Sequence, residues 1–434
     1  MGVRGNRVWC AWAVPTWRPT LHDPMRRASD GIAPAQSGAG VLASGRMFGP
    51  VAIVHDWMTS MRGGERVLEC LCGLFPQADV FTLRCEPRRL SPSLASRQVT
   101  TSFIDRVARA PFVRGRFRAL LPLFPLAVEA FRLDRYPLVI SSSHCVALGA
   151  RSAPGALHVA YVHSTMRYVR EGQAEYESRV PGGRLGRLAF RGAARYLRRW
   201  DAAAGARPHL LIANSSFTRE RIRQYYGRDA EVIPPPIDTA RFLPLARASA
   251  QDAPLLVISA LVPNKRVDLA VRAVAGRRER LVVVGEGPER ARLQRLAGPN
   301  VEFLGWAADG ALDELLAGCR ALVHPGVDDF GMVMAEALAA GKPVVAVREG
   351  GAPDIVRSGE TGLLIDAATV EALREALDCL PRLRFDRARA QADARRFDRG
   401  EFERRFRATV ERAWQERAGA PVVTAPAVAQ VGVG

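Results

Sequence analysis

Short apolar runs alternate with helix-forming segments along most of this chain, and the alternation stops once and then restarts. Residues 51–54, 138–140, 158–162 and 210–213 read as strands before the break; 255–259, 281–284, 301–304, 321–323, 343–347 and 362–365 read as strands after it. Helical sequence lies between them, as at 267–275, 311–317 and 334–340. A strand that is apolar on both faces needs cover on both, which parallel sheets obtain from crossover helices. The break is Pro234-Pro235-Pro236, where fixed φ and absent N–H groups give a rigid stop. The pattern predicts an α/β fold of two Rossmann-like domains facing a central cleft, over 47–235 and 236–384. Open sheets of this kind bind ligands beyond the carboxyl ends of their strands, so the loops there are where function is expected.

With 434 residues, 48 % of them hydrophobic, the chain has material for two cores and is not a disordered polymer. Its formal net charge of +18 favours an acidic partner: a membrane surface, a nucleic acid or a phosphorylated ligand. Cys10, Cys70, Cys72, Cys85, Cys145, Cys319 and Cys379 are scattered and lack paired metal spacing; they read as reduced thiols of a cytoplasmic protein. No stretch reaches the roughly 18 uninterrupted apolar residues of a membrane-spanning helix. Residues 1–46 are rich in Arg, Pro and Gly and lack an apolar signal core. They are expected to be a disordered leader or the product of a start placed too early, and 419–434 a disordered tail.

Four loops carry chemistry. The first holds Gly63 and Gly64 between a strand and a helix, where backbone N–H groups can approach anionic oxygens; an ordinary tight turn reads equally well. The second holds His163, just past the strand 158–162. A neutral imidazole there can bond a sugar hydroxyl, and a buried capping histidine is the even alternative. In the third, Lys265 and Arg266 follow the strand 255–259 and suit a diphosphate leaving group, against a plain solvated pair. The Gly285-Glu286 turn follows the next strand in the same way. The fourth runs from His324 to Pro343. Asp328 on its loop and Glu336 in the following helix can accept pairs of hydroxyl hydrogens, and the backbone around Phe330, Gly331 and Met332 can donate to phosphate. Asp328-Asp329 without a third ligand makes a poor metal site, so no metal is expected.

These segments resemble glycosyltransferase family 4, of GT-B fold. The resemblance is carried by HDWMTSMRGGERVLE (55–69), YVHSTMRYV (161–169), IANSSFTRERI (212–222), ALVPNKRVDLAV (260–271), VVVGEGPE (282–289), VEFLGW (301–306) and DDFGMVMAEALAAGKPVVA (328–346). Within the family the chain looks most like bacterial mannosyltransferases of O-antigen and exopolysaccharide assembly. The resemblance implies a retaining transfer without metal or cofactor, the nucleotide sugar being a substrate and GDP-mannose the favoured donor. It implies that Lys265 contacts the donor diphosphate, Glu336 the donor ribose, Asp328 the donor sugar, and His163 the sugar and acceptor, with Gly63 and Gly64 closing over the phosphates. It implies that helices over 385–418 return to the first domain. Two departures stand out: Asp328 replaces the usual Glu, and Ala260 stands where many members carry an Arg, with Arg266 or Arg62 as candidate replacements.

Arg184, Arg187, Arg191, Arg195 and Arg198 recur at helical spacing with no acid between 184 and 200, and a second basic stretch runs over 106–118. Leu185, Leu188, Ala189, Gly192, Tyr196 and Trp200 are expected opposite the arginines. Such helices lie on anionic membranes or are simply solvated. A glycan or lipid-linked acceptor fits peripheral contact with the inner face of the cytoplasmic membrane. Nucleic-acid binding has only the charge in its favour, because no RNA- or DNA-reading motif accompanies it. A non-catalytic sugar-nucleotide-binding protein of the same fold, or a sugar-nucleotide epimerase, are the remaining alternatives.

Overall fold

Among the described residues, thirteen short strands, the central ones mostly apolar, assemble into two parallel sheets that never share an edge. The computed structural model describes residues 47–110, 113, 117–178, 180, 183–250 and 252–419. The expected leader, the tail beyond 419 and part of the basic stretch 106–118 lie outside the described residues. The first sheet contains β1 (Val51–His55), β2 (Asp79–Thr82), β3 (Val99–Thr101), β4 (Leu138–Ser143), β5 (Leu157–Val162), β6 (Leu210–Ala213) and β7 (Glu231–Val232), in the order β3-β2-β1-β4-β5-β6-β7. The second contains β8 (Leu255–Ile258), β9 (Leu281–Val284), β10 (Val301–Gly305), β11 (Ala321–His324), β12 (Val344–Val347) and β13 (Gly362–Ile365), in the order β10-β9-β8-β11-β12-β13. Each sheet runs outward from its first strand, then reverses. The reversals fall between β1 and β4 and between β8 and β11, and each opens a crevice at the strands' carboxyl ends.

The apolar runs found in the sequence lie at the sheet centres. β2, β3 and β7 were not expected; they are short outer strands without a continuous apolar run. Within β1, side chains alternate between two cores. Ile53 packs with Val67, Leu68 and Leu71 of α1 (Gly63–Leu74), while Ala52 and Val54 pack with Phe81, Phe124 and Leu197. Leu197 belongs to α2 (Gly183–Ala204), and α3 (Ser216–Tyr226) follows β6 behind the Ser215 N-cap, whose hydroxyl accepts from Thr218 N–H. In the second domain, α4 (Val267–Ala273) and α5 (Met332–Ala339) open directly after the loops that follow β8 and β11.

Residues 387–397, expected to return to the first domain, stay in the core of the second, where Ala390, Ala394 and Phe397 are buried, while α6 (Arg399–Gly419) crosses and packs on the first. Phe402, Phe406 and Val410 are buried in the same core as Ile53, Ile140 and Tyr161, and the Tyr161 and Phe402 rings lie 5.7 Å apart, edge to face. The chain therefore passes between domains twice. The two passages lie side by side: Ile237 N–H donates to the Phe397 carbonyl at 2.9 Å, Ile237 bridges to Asp398, and the Thr239 hydroxyl donates to the Asp398 carboxylate.

Because Phe406 is wholly buried in the core of the first sheet, Phe406→Ala should cost about 3–5 kcal/mol. Urea unfolding should show an earlier midpoint at unchanged slope. An unmoved midpoint would make α6 an appendage rather than part of that core.

Candidate functional site

Both strand-order reversals carry polar residues, and the two rims face each other. On the second domain, Lys265 closes a short turn (Pro263–Lys265) after β8. Arg266, the non-glycine residue with positive φ among those described (φ 49°), then swings the chain into α4. The loop after β11 lies directly on this turn. A Cβ on Gly326 would come within 2.6 Å of the Lys265 carbonyl oxygen, so only glycine admits the approach. The contact delivers Asp328 to Lys265: the Nζ ammonium donates to Oδ1, while His324 Nε2 stands 3.2 Å from Oδ2. Burial alone would raise the Asp328 carboxyl, but Lys265 and His324 hold it well below the usual range.

Glu336 projects from α5, eight residues on. Arg66 of α1, in the other domain, donates to its Oε1 at 2.8 Å. Burial raises the Glu336 carboxyl, opposed by Arg66 and Arg241. Both candidate carboxylates thus lie at the domain junction, covered rather than open: Asp328 is 17 % and Glu336 13 % exposed. Met332 begins α5 behind the Gly331 N-cap, and a Cβ on Gly63 would come within 2.9 Å of its sulfur, so the two expected phosphate-closing segments touch. Phe330 is buried against Phe397 and belongs to the core, though its backbone flanks the loop. Arg266 faces Asp268 at 3.6 Å. Gly285 N–H donates to the Gly305 carbonyl at 2.7 Å, and Glu286 lies 3.9 Å from Arg290.

On the first domain, His163 follows β5 and is partly exposed. It is one of three clustered histidines. Ser142 Oγ lies 2.7 Å from His163 Nε2 and 3.0 Å from His55 Nδ1, and the His144 ring centroid is 5.8 Å from that of His55 and 6.4 Å from that of His163. Burial lowers all three imidazoles, that of His55 to about 3, with the neighbouring rings adding to the effect on His55 and His163. The direction favours the neutral imidazole in each, opposed at His144 by Asp56. The cluster is anchored by Asp56, fully buried, whose carboxylate accepts the backbone N–H groups of His144, Cys145, Val146 and Ala147 at 2.6, 3.0, 2.6 and 2.8 Å and lies 3.2 Å from His144 Nδ1. Among the described residues no group of three or more His, Cys, Asp and Glu is placed to hold a metal ion.

Further contacts span the junction. Asp329 takes Arg221 at 2.7 Å and Arg167 at 3.6 Å, and Ser216 N–H donates to Asp354 at 2.6 Å. Sequence reasoning did not single out Asp56, His55, Ser142, His144, Arg66 or His324 for a role. The signal was present in His55-Asp56 at the end of β1 and in Ser141-Ser142-Ser143-His144 at the end of β4.

The arginine helix needs two corrections. Arg184, Arg187, Arg191 and Arg195 are exposed, Arg191 pairing with Glu177 at 2.7 Å, but Arg198 is half-buried and donates to the Val169 carbonyl and to Gln173. Phe190, Ala194 and Leu197 form the buried face, so Leu185 (80 % exposed), Leu188 (66 %) and Tyr196 face solvent beside the arginines. No described helix is long and apolar enough to cross a membrane.

Residues 61–241 match the family model Glycosyltransferase Family 4, and residues 247–397 match Glycosyl transferases group 1. A GDP-mannose-dependent alpha-(1-6)-phosphatidylinositol monomannoside mannosyltransferase of Mycobacterium tuberculosis is 36 % identical over 207 residues, covering 41 % of this chain and 53 % of its own. A D-inositol 3-phosphate glycosyltransferase of Acidothermus cellulolyticus is 35 % identical over 224 residues, covering 43 % and 49 %. The chain spans about half the length of these curated relatives. Anabaena HepE in complex with UDP-glucose has the same fold, with a TM-score of 0.61 over 83 % of this chain and 99 % of its own at 20 % identity. So does the sucrose-phosphate synthase of Thermosynechococcus elongatus, at 0.61 over 85 % and 99 % with 18 % identity. The fold is GT-B.

One carboxyl beside this site gives a pH test. Glu65, in the first turn of α1, is 5 % exposed and accepts from Arg62 N–H at 3.1 Å; burial raises its pKa to about 7. A carboxyl raised in the folded state favours folding below its unfolded pKa and loses that contribution as pH rises through the folded value. Relative to wild type, Glu65→Gln should gain on the order of 3 kcal/mol between pH 4.5 and pH 8. Urea titrations at the two pH values measure the gap, and a gap that does not open with pH would mean the carboxyl is not raised.

Proposed function

Given that the chain joins a Glycosyltransferase Family 4 domain to a Glycosyl transferases group 1 domain, we propose that it transfers mannose from GDP-mannose, with retention, to a glycan or lipid-linked acceptor. The observation that carries the reading is the meeting of the two rims: Arg66 of the first domain reaches Glu336 of the second, on the helix that follows the loop where Asp328 pairs with Lys265. A nucleotide sugar offers a diphosphate, a ribose and a hexose. The junction offers a cation at Lys265, hydroxyl acceptors at Glu336 and Asp328, a helix N-terminus at Gly63-Gly64, and a neutral imidazole at His163. The bond that breaks leaves charge on the diphosphate, and Lys265 stands where a preorganised cation offsets it. Ala260 supplies no cation there, and Arg66, held on Glu336 across the junction, is a candidate second cation beside Arg62 and Arg266. GDP-mannose is favoured because the name of the mycobacterial relative carries it.

Thermal shift against a panel of nucleotide sugars should give the largest rise with GDP-mannose. Lys265→Ala should lower turnover about 10²- to 10³-fold with the fold intact, and Glu336→Ala should weaken donor binding. Donor binding without transfer or hydrolysis would favour a non-catalytic sugar-nucleotide-binding protein instead.

A lipid-linked acceptor is favoured by α2, where exposed Arg184, Arg187, Arg191 and Arg195 flank exposed Leu185 and Leu188. Each arginine near an anionic surface contributes about 1 kcal/mol, screened by salt. The protein should co-sediment with anionic vesicles and not with neutral ones, less at high salt, and changing the four arginines to glutamine should abolish it. Equal sedimentation of both proteins would leave α2 a solvated face.

A further inference from the structure

His55 is 1 % exposed, and its Nε2 has no hydrogen-bond partner among the described residues. That edge of the ring faces the start of α1. A Cβ built on Gly64 would lie 3.5 Å from His55 Cε1, 4.0 Å from His55 Nε2 and 4.0 Å from His163 Nε2. With no side chain at Gly64, a polar notch remains between two imidazoles and the first turn of a twelve-residue helix. Such a turn favours anionic oxygen, and an N–H directed into the notch from the opposite side would complete the set of donors.

The second half of the argument is the hydroxyl between the rings. Ser142 Oγ lies 3.0 Å from His55 Nδ1 and 2.7 Å from His163 Nε2. A hydroxyl has one hydrogen, and a neutral imidazole has one N–H and one lone pair. Ser142 therefore donates to one ring and accepts from the other, which couples their tautomers. If His55 carries its hydrogen on Nε2, its Nδ1 accepts from Ser142. His163 must then donate from Nε2, and its Nδ1 becomes a bare lone pair. If His55 carries its hydrogen on Nδ1, the whole set reverses. No net proton is gained or lost between the two arrangements.

We propose that His55 Nε2–H donates to an anionic phosphate oxygen of the donor held at the start of α1, and that Ser142 passes this choice to His163, fixing its Nδ1 as acceptor for a sugar hydroxyl. The inference rests on the nucleotide-sugar reading above. It makes His55 a ligand-contacting residue and Ser142 a positioning one. Phosphate in the notch would prepare His163 for the hydroxyl.

Titration calorimetry of the full chain with GDP, and separately with inorganic pyrophosphate, tests the contact. The amide of asparagine falls near the place of Nδ1 and that of glutamine near the place of Nε2. His55→Asn should therefore bind GDP about tenfold to hundredfold more weakly, the effect of one hydrogen bond to a charged group, while His55→Gln should stay within a few-fold of wild type. Nitrogen-15 NMR of histidine-labelled wild type tests the relay, because protonated and bare ring nitrogens have well-separated shifts. Adding GDP should place the hydrogen of His55 on Nε2 and that of His163 on Nε2, and in Ser142→Ala the His163 response should be lost. Wild type that binds neither probe would overturn both this inference and the nucleotide-sugar reading. Wild type that binds GDP while His55→Asn binds it equally well, or histidine shifts unmoved by GDP, would overturn this inference alone.

Discussion

A carboxylate without water must be surrounded by donors, and Asp56 organises the first domain's rim by this requirement. Its four backbone partners belong to consecutive residues, 144 to 147, so satisfying the charge folds the chain after β4 into one tight arc. That arc fixes where β4 ends, one residue past Ser142, and where His144 lies, with the Trp57 ring packed edge to face at 4.3 Å. The histidine cluster is a consequence. The second domain solves the same problem with side chains: Asp328 is held by Lys265 and His324, and Gly326 lets the loop reach them. Each strand-order reversal is therefore built around one covered aspartate, one tied to backbone and one to side chains.

The difference bears on what each rim can do. Four backbone donors are fixed by the fold, so the Asp56 arc is a rigid floor. The partners of Asp328 are side chains that can trade one contact for another, as can Arg66 and Glu336 across the junction. Rigid donors on one side and exchangeable charges on the other suit a cleft in which one wall holds its shape while the other rearranges around a ligand.

The central strands were legible because each is an apolar run long enough to stand out against its helices. β2, β3 and β7 were not, since an outer strand of two to four residues carries little period of its own and forms because a neighbour offers an edge. Lys265, Asp328, Glu336 and His163 could be picked out because strand ends and motif order mark them. Arg66 meeting Glu336 could not, since 270 residues separate them and only the packing of two domains makes them neighbours. On α2 the helical period was readable but its phase was not. Leu185 and Leu188 were expected opposite the arginines, yet they lie beside them, and Phe190, Ala194 and Leu197 take the buried face.

The paired passage at Ile237 and Phe397–Asp398 has a consequence for recombination between relatives. Here the first domain's core is completed by Phe402, Phe406 and Val410, which lie beyond the second domain in sequence. A hybrid spliced only near residue 236 would join one parent's first sheet to another parent's closing helix and mismatch a packed interior. The exchangeable unit is an insert: the segment between the two passages, removed and replaced as a cassette, with both cut ends already hydrogen-bonded side by side.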